Sequence, residues 1–223
     1  RNGRNICSYF GNYAGSTDSC KGNSRAEKGG IGLLKELVLK NRTYRRFYEE
    51  EAVSEETIRE LIDLARTVPS TANSQALKFA IVTKEEEKEK VFCNLGWAAA
   101  LKDWDGPEKG ERPAAYILVL CDQGIAKNKP IDNGIVAQTI MLGACEKGLG
   151  GCIFGNIKRK ELSEAFGISP EQFSIDLVLA IGKPKETVVI TEVGEDGSTT
   201  YYRDEDQVHY VPKRSLNELI VKL

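Results

Sequence analysis

A single globular domain that combines amphipathic helices with buried strands is the fold class the sequence predicts, and three observations carry it. Residues 113–121, PAAYILVLC, form a near-continuous apolar run of strand length. Residues 130–147 place Ile131, Ile135, Val136, Ile140, Met141, Leu142 and Cys145 around nearly the whole circumference of a helix, with small residues between them. A helix apolar on almost every side is buried within a domain or between subunits. A chain of 223 residues, 41% hydrophobic and 29% charged, is long enough for one sizeable core.

In chain order, residues 1–30 are rich in Gly, Ser and Asn without a sustained period, and read as an irregular extension before a domain at residues 31–223. Leu33, Leu34, Leu37 and Val38, with Lys and Glu between, predict an amphipathic helix that runs into Asn41-Arg42-Thr43-Tyr44-Arg45-Arg46-Phe47. Ser54 is an N-cap for a helix whose stripe is Ile58, Leu61, Ile62, Leu64 and Ala65, followed by Pro69. The polar loop 69–75, PSTANSQ, precedes a strand at 77–82, and residues 84–93 read as a charged helix. Residues 97–113, with Trp97 and Trp104, look like a short lid or surface excursion. After the apolar helix, Gly148 suits a C-terminal cap, and GGCIFG at 150–155 a strand with a flexible end. A short helix at 158–166, a buried strand at 173–181 and a turn at 182–184 follow. Residues 188–193 and 199–203 read as a hairpin. Lys213 and Arg214 then precede a helix whose Ser215 and Glu218 match a capping box.

Charge narrows the function classes. The chain has 31 basic and 33 acidic residues, so a net charge of −2 argues against a nucleic-acid-binding surface and makes any basic patch local. No apolar run approaches the roughly 20 residues of a membrane span, and no charged-then-apolar signal opens the chain; a cytoplasmic protein is expected. The six cysteines form no C-x-x-C pair and are expected to be buried free thiols. One histidine, His209, leaves His-based metal sites and Ser-His or Cys-His catalysis almost without material. Enzymatic chemistry here would rest on a cofactor, with no metal.

The basic patch is the arginine stretch. On an extended backbone, Thr43 and Arg45 share one face and Arg42, Tyr44 and Arg46 the other. Guanidinium is a planar fork of donors suited to phosphate or carboxylate.

Four pieces together, NRTYRRF, PSTANSQ, GLGGCIFG and PKRSL, in this order and spacing, resemble the FMN-dependent nitroreductase family over roughly residues 33–223. The resemblance implies an α+β fold with a central mixed, mostly antiparallel sheet flanked by helices, and an intertwined homodimer with FMN at the subunit interface. It implies that Arg42 and Thr43 hold the FMN phosphate and ribityl chain, joined by Lys213 and Arg214, and that Arg45 is the cation beside flavin N1 and O2. It assigns Pro69, Ser70, Thr71 and Asn73 to the loop that reaches the flavin from the other subunit, and the backbone of Ile153, Phe154 and Gly155 to the flavin N5. NADH or NADPH would donate electrons for reduction of a small conjugated acceptor such as a nitroaromatic or quinone. Alternative readings are a dehalogenase-type FMN enzyme and a flavin-binding or sensing protein without turnover. The chain departs from the family pattern in having Asn41 where another basic residue often stands, Ala76-Leu77 where many relatives have Pro-Trp, and Phe154 where some have Glu; substrate preference is therefore not inherited.

Overall fold

A computed structural model of the chain describes residues 32–101, 103–126 and 130–222. The expected irregular extension at 1–30, with Cys7 and Cys20, lies outside the described residues.

In chain order the elements are α1 (Leu33–Lys40), β1 (Phe47–Tyr48), α2 (Glu55–Ala65), β2 (Leu77–Val82), α3 (Glu85–Phe92), β3 (Ala115–Asp122), α4 (Pro130–Glu146), β4 (Gly150–Phe154), α5 (Arg159–Phe166), β5 (Phe173–Pro184), β6 (Val188–Glu192), β7 (Tyr202–Arg203), β8 (His209–Lys213) and α6 (Leu216–Leu219). β5 and β3 form the centre of a five-stranded sheet, with β2 on the outer side of β3 and both β4 and β1 on the other side of β5. All four of these pairings are antiparallel. The architecture is α+β, as the resemblance implied.

Strand alternation divides the core in two. In β3, Ala115, Ile117 and Val119 face α2 and α4, where they meet Ile58, Leu61, Ile140 and Met141. Their neighbours Tyr116, Leu118 and Leu120 face the opposite way, toward Val91, Phe154 and Leu162. Burying each Ile, Val or Leu among these contributes about 1.5–3 kcal/mol, so a strand buried on both faces reads as the unbroken apolar run seen in the sequence. The N-cap at Ser54 is present, its hydroxyl accepting from the Thr57 N–H at 3.1 Å, and the capping box at Ser215 and Glu218 closes as expected. Gly148 follows α4 with φ of 71°, a left-handed turn that glycine takes without strain.

Three expectations need correction. Residues 182–184 are the end of β5 rather than a turn: Gly182 pairs with Gly150, Lys183 with Tyr48 and Pro184 with Phe47. Proline is tolerated there because a strand end needs few ladder hydrogen bonds. The hairpin is also replaced. β6 pairs in parallel with β8, and β7 pairs with β8 from the other side, so β8 lies between the two strands expected to be neighbours. β7 is two residues long and offers too few ladder bonds to outcompete the five-residue register of β6 with β8. Among the four described cysteines, Cys121 and Cys152 are buried and Cys145 half-buried, but Cys93 is exposed.

Candidate functional site

The arginine stretch is held against β4. Thr43 forms a parallel bridge with Gly151, and the Tyr44 N–H donates to the Gly151 carbonyl at 2.9 Å. Glycine is required at 151, because a Cβ there would collide with the Ala180 carbonyl oxygen of β5 and crowd Met141 of α4. The bridge sets Arg42, Thr43 and Arg45 beside the strand that carries Ile153 and Phe154 and leads into Gly155. Ile153 is 42% exposed, Phe154 is buried, and Gly155 is exposed with open space where a side chain would stand. Phe154 packs edge-on against Trp97, ring centroids 4.7 Å apart. Trp97, at the start of the expected lid, is therefore core.

The arginines separate according to partner. Arg46 turns to Glu111, its Nη2 2.6 Å from Oε1 in a two-armed contact, and Lys185 reaches the same carboxylate at 3.0 Å. The hydrogen bond from Arg46, reinforced by Lys185, holds the Glu111 carboxyl down at about 2. Arg42 donates from Nη2 to the Val38 carbonyl at 2.6 Å, while its Nε is buried without a partner. Arg45 is 9% exposed. Its backbone N–H donates to the Glu186 carboxylate, and its guanidinium lies 4.9 Å over the Tyr201 ring with Nη1 3.3 Å from His209 Nε2. Among the described residues no carboxylate lies within ion-pairing distance of that guanidinium. Glu186, although close, gives its other oxygen to Arg203 at 3.0 Å. Arg203 in turn stacks on Trp104 at 4.4 Å.

The loop 69–75 is fastened elsewhere. The Thr71 N–H and hydroxyl donate to Asp132 at the start of α4, at 2.9 Å and 2.6 Å. Ala72, Asn73 and Gln75 have φ of 52°, 51° and 49°, a left-handed conformation that costs of order 1 kcal/mol or more for residues other than glycine. With Asp132 and Val136, Ser70 and Gln75 line a cavity of about 210 Å³.

One chain therefore lays the stretch that carries Arg42, Thr43 and Arg45 along β4 at Gly151, the strand that continues through Ile153 and Phe154 to Gly155. It does not join Pro69, Ser70, Thr71 or Asn73 to them by any hydrogen bond among the described residues. β8 touches Arg45 at His209, and Lys213 closes the same strand four residues on, about 13 Å along an extended backbone. Arg214 is exposed and pairs with Glu218 at 3.4 Å. Sequence reasoning missed Asp132, Glu186, Tyr201, Arg203 and the role of His209. An acidic residue in the first turn of a helix was a signal for Asp132. Nothing local marks Glu186 or Arg203, whose pairing spans β6, β7 and β8.

Fold and site define a class: an α+β protein whose sheet edge carries Arg42 and Arg45, guanidinium groups that no carboxylate among the described residues neutralises. The sequence profile of the nitroreductase family matches residues 38–183. The chain belongs to that family and is an oxidoreductase by class. It is similar to a Cr(VI) reductase of Pseudomonas sp. strain G-1, 30% identical over 176 residues that cover 68% of this chain and 67% of that protein. It is also similar to YdgI of Bacillus subtilis, assigned as an NAD(P)H nitroreductase, 24% identical across 66% of this chain and 87% of that one. Among solved structures, a nitroreductase of Desulfovibrio desulfuricans in complex with FMN superposes with a TM-score of 0.64 at 20% identity, over 87% of this chain and 98% of that one.

Proposed function

We propose that the chain is an FMN-dependent NAD(P)H oxidoreductase that passes a hydride to a small conjugated acceptor such as a nitroaromatic or quinone, and that it works as a homodimer with FMN at the subunit interface. One observation carries the reading: Arg45 is buried beside β4, and among the described residues no carboxylate pairs with its guanidinium. Leaving a charge buried and unpaired costs several kcal/mol, and an electron-rich flavin edge would offset that cost.

The residues present fit the cofactor. Arg42, with its unpartnered Nε, and Thr43 would hold the phosphate and ribityl chain, with Lys213 and Arg214 completing the charge. A phosphate facing one such cation at about 4 Å gains roughly 4 kcal/mol per unit charge at an effective dielectric near 20, before desolvation. Arg45 would stand by N1 and O2, where its fixed charge favours the reduced form. The backbone of Ile153, Phe154 and Gly155 would face N5, since Gly155 leaves room for close approach. Bound FMN supplies the hydride chemistry through N5; the chain's task is to orient donor and acceptor and to hold charge.

Separation of the 69–75 loop from this cluster within one chain agrees with Pro69, Ser70, Thr71 and Asn73 coming from a second subunit. The exposed apolar residues agree as well: α1 buries no residue, with Leu33 68% and Leu34 66% exposed, and Ile131 (70%), Leu216 (70%), Leu219 (64%) and Val221 (77%) are equally uncovered. Among the described residues no helix is long and apolar enough to cross a membrane.

Absorption spectroscopy of the purified protein tests the reading. A yellow flavoprotein bleached by NADH or NADPH is expected. Failure to retain FMN after reconstitution overturns the cofactor assignment; retention without bleaching by either nicotinamide overturns the donor assignment and favours a flavin-binding protein without turnover. A monomeric mass in solution overturns the shared site.

A further inference from the structure

The chain's single histidine lies deep beside Arg45. His209 opens β8 and is 1% exposed. Its backbone is fixed by the N–H bond to the Thr187 carbonyl at 2.9 Å and by pairing with Val188 and Arg203, and its ring lies 5.2 Å from the Tyr201 ring. On the other side its Nε2 is 3.3 Å from Arg45 Nη1. A guanidinium nitrogen can only donate, so Nε2 must accept, and the ring must be neutral with its proton on Nδ1. The charged groups around it agree. Arg45 and Arg203 face the ring, and Glu186, the acidic group in this cluster, is occupied by the Arg45 backbone and by Arg203. Burial first, and then the two guanidinium groups, push His209 down to about 4.

Arg45 is thus gripped by three contacts that contribute no negative charge to its head: the Tyr201 face, the His209 lone pair and, at its backbone, Glu186. A carboxylate at position 209 would neutralise the guanidinium; a neutral imidazole orients it and leaves its charge available. We propose that His209 is a positioning residue: as a neutral acceptor it holds the Arg45 guanidinium in place with its full charge unspent for an electron-rich ligand edge. The inference rests on the flavin reading for the identity of that ligand, but the tautomer and the clamp do not.

Two measurements separate the two. With one histidine in the chain, a long-range proton–nitrogen NMR spectrum of uniformly labelled protein reports a single imidazole. The expected pattern is a neutral ring protonated at Nδ1 that stays neutral down to about pH 5, with or without FMN. In Arg45→Ala the ring loses this tautomer and titrates closer to the ordinary histidine value of about 6.5. A ring protonated at Nε2 in the wild-type protein overturns the proposal even if the protein is yellow.

The second measurement compares dissociation constants of oxidised and reduced FMN for wild type, His209→Phe and His209→Gln. Phenylalanine keeps the bulk but removes the acceptor. The preference for reduced FMN should fall roughly tenfold, the scale of one charge-assisted hydrogen bond, which converts to a midpoint about 30 mV lower for a two-electron couple. Glutamine, whose side-chain carbonyl can accept from Arg45, should restore the ratio to within about twofold of wild type. An unchanged ratio in His209→Phe, or no rescue by glutamine, overturns the positioning role. If wild-type protein binds no FMN, the functional reading fails, while the imidazole spectrum still decides whether the clamp exists.

Discussion

Arg45 and Arg46 are adjacent in sequence and opposite in fate. Arg46 meets Glu111 and Lys185 at a partly exposed edge, where two cations share one carboxylate. Arg45 goes inward to an aromatic face and a neutral imidazole, with no carboxylate at its guanidinium among the described residues. A cation whose partner belongs to the chain serves the fold. One buried without such a partner stores an unsatisfied interaction, and a ligand can complete it.

The sharpest way to break the comparison is at Glu186, the buried carboxylate that anchors the Arg45 backbone and pairs with Arg203. Glu186→Ala should destabilise the protein by about 3–5 kcal/mol, because it strands a buried guanidinium; a urea midpoint close to wild type would show that Arg203 finds another partner. Arg42→Ala comes next. It should weaken FMN binding by about 1.5–3 kcal/mol, roughly ten- to a hundredfold, while the potential of the retained flavin stays near wild type. Arg45→Ala should do the reverse, lowering the potential at similar occupancy. Equal shifts of potential in both variants would contradict the division of labour between phosphate and ring.

At the other arginine, Glu111→Gln should cost only about 1 kcal/mol, since the pair is partly exposed and screened, and FMN affinity should not change. Acid provides the mildest discrimination. The unfolded chain protonates His209 near 6.5, whereas the folded chain resists until about 4, so stability should fall as pH drops through that window. The Glu111 carboxyl is depressed from 4.5 to about 2; its contribution is present above pH 4.5 and lost on the way down to 2. Thermal midpoints measured against pH should therefore lose the upper limb in His209→Gln and the lower limb in Glu111→Gln. A single unchanged acid transition in both would mean that neither group titrates differently on folding.

Much of this architecture was legible. β2 coincides with the predicted strand at 77–82, and β3 and α4 lie where the apolar runs placed them. The Ser54 cap and the box at Ser215 and Glu218 are local hydrogen bonds between residues three apart, and sequence shows such pairs directly. β8 is the counterexample. A strand inserted between β6 and β7 depends on pairing across a gap in sequence, and the nearer hairpin looked equally good on propensity.

The same division holds at the site. Sequence alone determined that a cluster of guanidinium groups follows α1, that a glycine-rich strand follows α4, and that a polar loop follows α2, because each is a property of neighbouring residues. Only the tertiary structure decided which arginine is neutralised and which is not, and that a lone histidine 164 positions away accepts a hydrogen bond from Arg45. Charge compensation depends on distance through space and on exclusion of water, and neither quantity exists until β4, β5 and β8 have packed.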